Sequence, residues 1–359
     1  MTTGNLKPTK STMRAQQFNP KTSKLELNEI PIPKPGPDEL LVKVLCASLC
    51  HSDLMPFEAN DKIQVSADAR PITIGHEGSG VIVEVGANGQ SDFQPGQEVG
   101  FLPAKDSCFE CRPCKTVHNL WCEKGQVKMQ GFAYDGYFQE YVIVDRQNTM
   151  VLPPQLKASE AAPLFCAGVT AFNGIDAIKL PRGSWVAIIG TGGLGHLGVQ
   201  YAKAMGYKVI GLDITDGAVA TAKAAGADYA FNSVKDAATY VDEIKKITGG
   251  GGVDAAVNFT ASKRAYLGMP DLIRAPGILV AVGIPNESVE FSIFDIALGR
   301  FEIRGANNGT CYTMPKCIQF SAEHGIKPHV EWFKLEEVGA MVEKMQQHKA
   351  TGRMAVRFE

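Results

Sequence analysis

The sequence has no long apolar run, no strong net charge and no secretory signal. No uninterrupted apolar stretch approaches the roughly 20 residues that a membrane-spanning helix needs. A formal net charge of -2 over 359 residues gives no electrostatic basis for binding nucleic acid or an anionic membrane surface. The first residues, MTTGNLKPTKSTM, lack the apolar core that directs secretion. We therefore expect a cytoplasmic protein that binds neither nucleic acid nor membranes, with residues 1–12 as a flexible leader.

The order of apolar and turn residues divides the remaining chain into two parts. Between residues 13 and 152, short β-branched runs broken by Gly and Pro predict a barrel-like β domain that includes a strand at 39–45. From residue 159 onward, strand and helix patterns alternate, which is typical of a doubly wound parallel sheet. The predicted strands are 185–190, 208–213, 228–231, 253–258, 277–283 and 301–305, and the predicted helices are 159–171, 195–206, 217–226, 236–248, 262–274 and 334–348. A final strand at 351–358 is expected to return to the first domain.

Nine cysteines are present, and four of them fall close together. Because there is no secretory signal, closely spaced cysteines indicate metal ligands rather than disulfides. Four thiolates on a loop can close a tetrahedral Zn²⁺ shell that leaves no position for substrate, so this site is predicted to be structural. Coincidence or a redox pair is the alternative interpretation. The four residues are Cys108, Cys111, Cys114 and Cys122. The remaining Cys46, Cys311 and Cys317 are expected to be small buried hydrophobic residues.

A second possible metal site is discontinuous in the sequence. Cys50, His76 and Cys166 together can hold zinc while leaving a fourth position for water or substrate. Taken singly, each is more often a core or surface residue. Asp53 can orient the ligating histidine from behind, or it can simply be a turn residue.

A glycine-rich turn follows the predicted strand at 185–190 and precedes a helix. Such a turn brings the backbone close to a pyrophosphate, which the helix N-terminus then stabilises. Asp213 ends the next strand, 18 residues after the last glycine, where a carboxylate binds the ribose hydroxyls of NAD and repels a 2′-phosphate. Its alternative role is to cap the following helix. The residues of the turn are Gly190, Gly192, Gly193, Leu194 and Gly195.

These motifs, in this order, resemble the zinc-dependent alcohol dehydrogenases of the medium-chain dehydrogenase/reductase superfamily, especially the yeast-type enzymes. The resemblance runs from about residue 13 to the C-terminus. The matching segments are CHSD at 50–53, GHEGSG at 75–80, the four-cysteine loop, DGYFQEYV at 135–142, LFCAGVTAF at 164–172, IGTGGLGHLGVQYAKAMG at 189–206 and GRMAVRF at 352–358.

The resemblance implies an α/β fold in which a GroES-like, β-rich catalytic domain is joined to a Rossmann NAD-binding domain with a doubly wound parallel sheet. The catalytic domain would comprise residues 13–167 and 313–359, and the Rossmann domain residues 168–312, with the active site between them. Two zinc ions per chain, one catalytic and one structural, and NAD(H) are the implied cofactors. A homodimer or homotetramer formed through the Rossmann sheets is implied as well.

The family's functional positions can be carried over residue by residue. Cys50, His76 and Cys166 match the catalytic zinc ligands, and Glu77 matches an acidic neighbour that can transiently coordinate the metal. Ser52 matches the hydroxyl that takes the proton of the alcohol, and Asp53 matches the partner of the ligating histidine. The implied cofactor contacts are His51 and Arg353 at the pyrophosphate, Thr170 beside the nicotinamide, and Val280 to Gly283 at its carboxamide.

Three departures from the yeast-type pattern bear on function. Met55 stands where those enzymes carry a relay histidine, so the route of the proton beyond Ser52 is open. The segment between Cys50 and His76 is longer and offers Phe57 in place of tryptophans, which predicts a pocket for alcohols bulkier than ethanol. The lysine expected soon after Asp213 is absent, with Ala218 nearby, which affects the affinity for the cofactor rather than its identity.

The sequence therefore predicts reversible hydride transfer between a small alcohol or its aldehyde and NAD⁺. An NADPH-preferring reductase of bulky aldehydes is the alternative within the class, and Asp213 argues against it. A zinc-stabilised nucleotide-binding module without catalysis is the alternative from another class. The complete Cys50, His76 and Cys166 set argues against this second alternative.

Overall fold

The computed structural model describes residues 8–57, 69–125 and 127–358. These residues form two compact units. The first unit contains the described residues up to Cys166 together with 309–325 and the described residues from Val330 onward. The second unit contains 167–308 and 326–329. The domain boundaries that the resemblance implies, after residues 167 and 312, stay a prediction.

Strands dominate the chain up to Cys166. They are β1 (Thr12–Asn19), β2 (Lys24–Pro31), β3 (Glu39–Leu49), β4 (Ile72–Thr73), β5 (Glu77–Val85), β6 (Glu98–Phe101), β7 (Ala104–Lys105), β8 (Lys128–Met129), β9 (Tyr141–Asp145) and β10 (Thr149–Val151). The helix in this part is α1 (Arg112–Thr116), and 3₁₀ turns lie at His51–Phe57, Ala87–Gly89, Asn119–Trp121, Arg146–Asn148 and Ala162–Phe165.

Strands and helices alternate in the rest of the chain. The helices are α2 (Ala167–Asp176), α3 (Gly195–Ala204), α4 (Asp216–Ala224), α5 (Tyr240–Ile247), α6 (Lys263–Leu267), α7 (Met269–Leu272), α8 (Ile293–Ala297), α9 (Met314–His324) and α10 (Val338–Gln346). The strands are β11 (Trp185–Ile189), β12 (Lys208–Asp213), β13 (Tyr229–Asn232), β14 (Val253–Asn258), β15 (Ile273–Ala281), β16 (Phe301–Gly305), β17 (Val330–Phe333) and β18 (Arg353–Arg357), and a 3₁₀ turn lies at Leu335–Glu337. Across the described residues, no helix combines the length and apolarity needed to span a membrane.

The first unit is built around a sheet in the order β10-β6-β5-β3-β18-β17, with β9 also pairing with β3. β3 is antiparallel to β5 on one side and to β18 on the other, so it is the central strand at its C-terminal end. Its apolar residues Leu40, Val42 and Val44 are fully buried in the core of this unit. The pairing of β18 with β3 confirms that the final strand returns to the first part of the chain.

The second unit contains a six-stranded parallel sheet in the order β13-β12-β11-β14-β15-β16. In chain order this is 3-2-1-4-5-6, the strand order of a dinucleotide-binding fold. The strands are apolar on both faces because helices cover both sides of such a sheet, as Val186, Ala187 and Ile188 of β11 illustrate by being fully buried. The predicted doubly wound parallel sheet is therefore confirmed.

Several predicted element boundaries were wrong. The predicted helix at 262–274 is two short helices, α6 and α7, because Gly268 and Pro270 interrupt it, and its last two residues begin β15. The predicted helix at 159–171 starts only at Ala167 after a 3₁₀ turn. β1 begins at Thr12, the last residue assigned to the leader, and residues 1–7 of that leader lie outside the described residues.

Candidate active site and metal centres

The first unit brings together a cluster of four possible metal ligands. Cys50, His76, Glu77 and Cys166 each present one donor atom, and these four atoms all lie within 4.8 Å of one another. Cys50 directly follows β3, His76 directly precedes β5, which Glu77 opens, and Cys166 lies between a 3₁₀ turn and α2. The donors therefore meet because β3 and β5 are paired and the 3₁₀ turn packs on that sheet.

Asp53 lies behind this cluster and is fully buried. Its Oδ1 is 2.7 Å from Nδ1 of His76, and its Oδ2 accepts a hydrogen bond from the Cys50 backbone N–H at 2.8 Å. A carboxylate at Nδ1 holds the proton of the ring on that nitrogen and leaves Nε2 to face the other donors. Nε2 of His76 is 3.4 Å from the sulfur of Cys166, which fits this orientation.

A second buried carboxylate, Glu77, is held by two other strands. Its Oε2 is 2.5 Å from a guanidinium nitrogen of Arg353 on β18 and also accepts a hydrogen bond from the hydroxyl of Ser48 on β3. Its Oε1 has no hydrogen-bond partner among the residues that the structure describes, and neither has Nε of Arg353. An unpaired buried polar atom costs about 1–3 kcal/mol, so both atoms are expected to meet a ligand.

The cluster perturbs the protonation of its own members. The hydrogen bond with Cys166 lowers the pKa of the Cys50 thiol well below its ordinary value, although burial opposes this shift. Burial raises the pKa of Glu77 to about 7, and Arg353 counteracts part of this effect. Burial lowers the pKa of His76, but the neighbouring charges of Asp53 and Cys50 outweigh it and raise that pKa well above its ordinary value. A divalent cation would displace the shared protons, because thiolate and neutral imidazole are the forms that bind metals.

The donor set fits zinc with an open coordination position. Two thiolates and one imidazole are typical of catalytic zinc, and the unpaired Oε1 of Glu77 marks a nearby oxygen that could complete the shell.

The four-cysteine loop forms a separate cluster in the same unit. The sulfurs of Cys108, Cys111, Cys114 and Cys122 all lie within 4.8 Å of one another. The sulfurs of Cys108 and Cys122 accept backbone N–H groups at 3.4 Å. Hydrogen bonds from the Cys111 and Glu110 backbone lower the pKa of Cys108 to about 6, which favours the thiolate. This donor set fits a closed, structural zinc shell.

In the second unit, the glycine-rich turn leads from β11 into α3. A Cβ atom on Gly195 would lie 1.7 Å from the carbonyl oxygen of Gly190, so no side chain fits there. A Cβ atom on Gly192 would meet nothing within 4 Å, so the glycine there leaves open space in front of the helix N-terminus. That combination is what a pyrophosphate needs, because the turn must be tight and its backbone must be accessible.

The other predicted dinucleotide residues lie at the carboxyl ends of the same strands. Asp213 ends β12, and its Oδ2 accepts the backbone N–H of Thr191 at 2.8 Å, which ties it to the glycine-rich turn. Val280 is buried on β15, and the carbonyl of Gly283, just beyond that strand, accepts a hydrogen bond from Tyr266 at 2.5 Å. Ligands of open α/β sheets bind at this edge, so these residues fit a dinucleotide.

Comparison with known proteins agrees with this geometry. Residues 36–154 match the alcohol dehydrogenase GroES-like domain, and residues 193–323 match the zinc-binding dehydrogenase domain. An alcohol dehydrogenase of Geobacillus stearothermophilus is 35% identical over 348 residues, which cover 97% of this chain and 99% of that protein. The chain belongs to the zinc-dependent alcohol dehydrogenase family.

Solved structures of this family have the same fold. An alcohol dehydrogenase of Aeropyrum pernix superposes with a TM-score of 0.84 at 26% identity, covering 96% of this chain and all of that one. A protein of Sinorhizobium meliloti 1021 assigned as a zinc-binding dehydrogenase, which was solved with NADP bound, superposes with a TM-score of 0.83 at 25% identity, covering 97% and 100% of the two chains. The GroES-like and Rossmann architecture is thus confirmed, as is the family's use of zinc and a nicotinamide cofactor. The narrower assignment to the yeast-type enzymes stays a prediction.

The remaining positions carried over from the alcohol dehydrogenases are found in both units. His51 and Ser52 are exposed in the 3₁₀ turn that begins directly after Cys50, and Met55 lies in the same turn. Thr170 is buried in α2 of the second unit. Of the three remaining cysteines, Cys46 and Cys317 are buried as expected, whereas Cys311 is partly exposed.

Three polar residues near these sites were not found from the sequence. Ser48 lies two residues before Cys50, and since alternate residues of a strand share a face, that spacing could have indicated it. The other two are Asp216, which lies three residues after Asp213 in the chain, and Lys235, with which Asp216 forms an ion pair. No sequence signal joins this pair, because its members lie 19 residues apart.

Proposed function

We propose that this chain is a zinc-dependent dehydrogenase that transfers hydride reversibly between a primary or secondary alcohol and NAD⁺. The observation that carries the proposal is the open set of Cys50, His76 and Cys166, which is backed by Asp53. A purely structural protein has no need of a three-ligand site beside a closed four-thiolate one. The first unit would then be the catalytic domain and the second the NAD-binding domain.

The residues of the first unit would each have a defined task. Zinc bound by Cys50, His76 and Cys166 would supply a Lewis acid that acidifies an alcohol or polarises a carbonyl, and the nicotinamide would take or give the hydride. Asp53 would keep Nδ1 of His76 protonated, so that Nε2 stays available as a ligand. Ser52 would accept the proton of the alcohol at its Oγ. Glu77 would offer its free Oε1 when substrate is absent.

One of the cofactor contacts proposed from the resemblance, Arg353, has a further argument in its favour. The unpaired Nε of buried Arg353 is a free cationic donor suited to a phosphate oxygen. His51 would assist at the pyrophosphate, Thr170 would lie beside the nicotinamide, and the segment from Val280 to Gly283 would receive its carboxamide.

Zinc content, together with activity, tests this proposal. We expect two zinc ions per chain, one in each cluster, and oxidation of NADH by aldehydes that a chelator abolishes. The aldehyde panel should include small, long-chain, aromatic and terpenoid members. One zinc per chain with no turnover would instead favour a zinc-stabilised nucleotide-binding module.

Discrimination between NAD and NADP is proposed to depend on Asp213. Its carboxylate, fixed by the N–H of Thr191, would repel a 2′-phosphate. Asp216, three residues further along the chain, forms an ion pair with Lys235, so this lysine already has an anionic partner. The NADP found in the Sinorhizobium meliloti relative keeps an NADPH-preferring reductase as the alternative.

Replacing Asp213 tests the choice of cofactor. Asp213→Gly removes the repelling charge, so we expect the ratio of kcat/KM for NADH to that for NADPH to fall at least 10-fold. Asp254→Asn is a control, since Asp254 starts another strand of the same sheet and bonds the Trp185 N–H. A wild-type enzyme that turns over only NADPH would contradict this assignment.

The proton is proposed to pass from Ser52 to solvent without a histidine relay, since Met55 occupies that position. Both Ser52 and His51 are exposed in the first unit, which supports a direct exchange with water. If this exchange is direct, Met55→His should leave the pH–rate profile unchanged, whereas a new titration in that profile would contradict direct exchange. An unchanged profile would mean that position 55 has no part in the relay.

A substrate larger than ethanol is proposed from the longer segment after Cys50. Phe57 lies at the end of its 3₁₀ turn and contacts Phe18 edge to face at 4.8 Å, while residues 58–68 are outside the described part of the chain. We expect kcat/KM to rise from ethanol to longer or aromatic alcohols. A value that is highest for ethanol and falls with chain length would contradict this proposal.

A homodimer, or a tetramer built from such dimers, is proposed to form through the edge of the parallel sheet. β16 is one edge strand of this sheet, and its Ile303 is exposed. Ile293, Phe294 and Leu298 in and just after α8 are each at least 70% exposed. Such a patch on the edge of a sheet is typical of an interface. Light scattering would give the mass of the assembly.

The cytoplasm is the proposed location. All nine cysteines of the chain are free of disulfides, which is typical of a reducing compartment.

A further inference from the structure

Ser48 lies beside the metal-ligand cluster of the first unit. It is on β3, which pairs there with β5 on one side and β18 on the other. It is directly opposite Glu77 in the antiparallel pairing of β3 with β5, and both side chains are fully buried. Its hydroxyl donates a hydrogen bond to Oε2 of Glu77. Residues directly opposite each other in an antiparallel pair of strands are close enough for their side chains to interact.

The third strand supplies a second partner to the same oxygen. Ala355 of β18 pairs with Ser48 on its other side, and Arg353, two residues earlier, lies 2.5 Å from Oε2 of Glu77. Oε2 therefore has a hydroxyl and a guanidinium group as partners. Oε1 has no hydrogen-bond partner among the described residues.

A hydroxyl donor and an ion-pair partner at one oxygen fix the plane of the whole carboxylate. An ion pair alone leaves that plane loosely defined, because the terminal torsion of a carboxylate is broad. A hydroxyl from a neighbouring strand restricts the torsion, since turning the plane away would leave the buried serine hydroxyl without an acceptor, at a cost of about 1–3 kcal/mol. Oε1 is thereby kept as the free oxygen.

We propose that Ser48 is a positioning residue that holds Glu77 with Oε1 free, ready to act as the fourth ligand of the metal at Cys50, His76 and Cys166. The inference rests on the proposed function, because it assigns Ser48 to the metal site of that function. Ser48 itself touches neither metal nor substrate in this scheme and acts only through Glu77. The hydroxyl of Ser48 orders the carboxylate of Glu77 in advance. The carboxylate therefore loses less conformational entropy when it coordinates the metal.

Removing the hydroxyl should weaken the binding of one metal ion only. Outer partners of metal ligands are worth about 10- to 100-fold in metal affinity, so Ser48→Ala is expected to lower the zinc affinity of this site about 10-fold. Ser48→Thr keeps the hydroxyl and should retain most of the wild-type affinity. Ser79→Ala is the matched control, because Ser79 is an equally buried serine on β5 whose hydroxyl donates to the Ala158 carbonyl at 2.6 Å.

In the experiment the purified chain competes with a chromophoric chelator for zinc. The titration gives the zinc affinity of each of the two sites. The four-cysteine site is an internal standard and should not change in any of the three variants. Ser48→Ala and Glu77→Ala should also be combined, since a residue acting only through Glu77 adds nothing once Glu77 is removed. Cobalt-substituted protein gives a second readout, because its d–d spectrum should change in Ser48→Ala and be restored in Ser48→Thr.

The outcomes separate this inference from the proposed function. A selective loss in Ser48→Ala that disappears in the Glu77→Ala background supports the role of Ser48. If Ser48→Ala binds two zinc ions with wild-type affinities, Ser48 has no such role, and the proposed function still stands. The same conclusion follows if Ser48→Ala loses zinc affinity equally at both sites, or if Ser79→Ala loses as much affinity as Ser48→Ala. A wild-type chain that binds only one zinc overturns both.

Discussion

The two glycines of the dinucleotide turn offer a test in which stability and cofactor binding separate. In Gly195→Ala the new methyl group would lie 1.7 Å from the Gly190 carbonyl oxygen, so the backbone has to move. Overpacking of this kind costs about 1–3 kcal/mol of the free energy of unfolding. In Gly192→Ala the methyl group meets nothing within 4 Å, so the free energy of unfolding should stay within about 0.5 kcal/mol of wild type.

Both substitutions should nevertheless weaken dinucleotide binding. The methyl group at residue 192 fills the space through which a pyrophosphate approaches the N-terminus of α3. Losing one hydrogen bond to a charged group costs about 1.5–3 kcal/mol, so Kd for NADH should rise about 10- to 100-fold. The measurements are urea unfolding for stability and quenching of protein fluorescence by NADH for affinity.

The pair of results is diagnostic. Gly192→Ala should have wild-type stability and poor binding, whereas Gly195→Ala should lose both. If Gly192→Ala binds NADH as tightly as wild type, the turn does not hold the pyrophosphate, and the dinucleotide site has been assigned wrongly. If Gly195→Ala unfolds at the same urea concentration as wild type, the backbone of the turn can move to accept the methyl group. The steric argument from the Gly190 carbonyl oxygen would then be wrong.

Three further predictions concern other parts of the chain. Asp53→Ala removes the acceptor shared by His76 and Cys50 and should lower zinc affinity about 10- to 100-fold in a chelator competition. Asp92→Ala, a control on the surface, should leave zinc affinity unchanged. Equal zinc affinities in the two variants would contradict the role of Asp53. Burial raises the pKa of Asp145 to about 6. The folded chain therefore holds the proton of this carboxyl more tightly than the unfolded chain does. The resulting stabilisation is present below about pH 4 and is lost as the pH rises through 6. Relative to Asp145→Asn, the wild-type free energy of unfolding should therefore fall by about 2–3 kcal/mol between pH 4 and pH 7, and a difference independent of pH would refute the argument. Leu298→Asp puts a charge into the exposed patch and should lower the assembly mass in light scattering; an unchanged mass would place the interface elsewhere.

The fold of the second unit was largely predictable from the sequence because its signals are local. Strands 208–213, 253–258 and 301–305 were predicted to the residue. For the first two the reason is that strands buried on both faces are continuous apolar runs bounded by turns. The prediction failed where helices are short. The segment 262–274 contains good helix formers, but Gly268 and Pro270 divide it, and α8 and α9 were not predicted at all.

The candidate metal residues could be proposed from the sequence because each lies in a motif. The partners of Glu77 could not be, since they depend on strand register. Ser48 meets Glu77 only because β3 and β5 pair with those two residues opposite each other, and Arg353 meets it only because β18 lies on the other side of β3. Neither pairing leaves a mark in the spacing of residues along the chain.

The position of β18 between β3 and β17 has a consequence for the order in which the protein is completed during translation. The second unit takes nearly all its residues from one uninterrupted stretch, 167–308, and its sheet needs nothing that the ribosome adds later. The sheet of the first unit, by contrast, lacks a strand at its centre until Arg353 to Arg357 have been made. The nascent chain therefore carries an unpaired edge at the C-terminal end of β3 until then, and an edge of this kind is where a chaperone binds or a neighbouring chain adds a strand. Of the two residues that hold Glu77, Arg353 thus arrives last, so a nascent chain that captures zinc early does so without its guanidinium group.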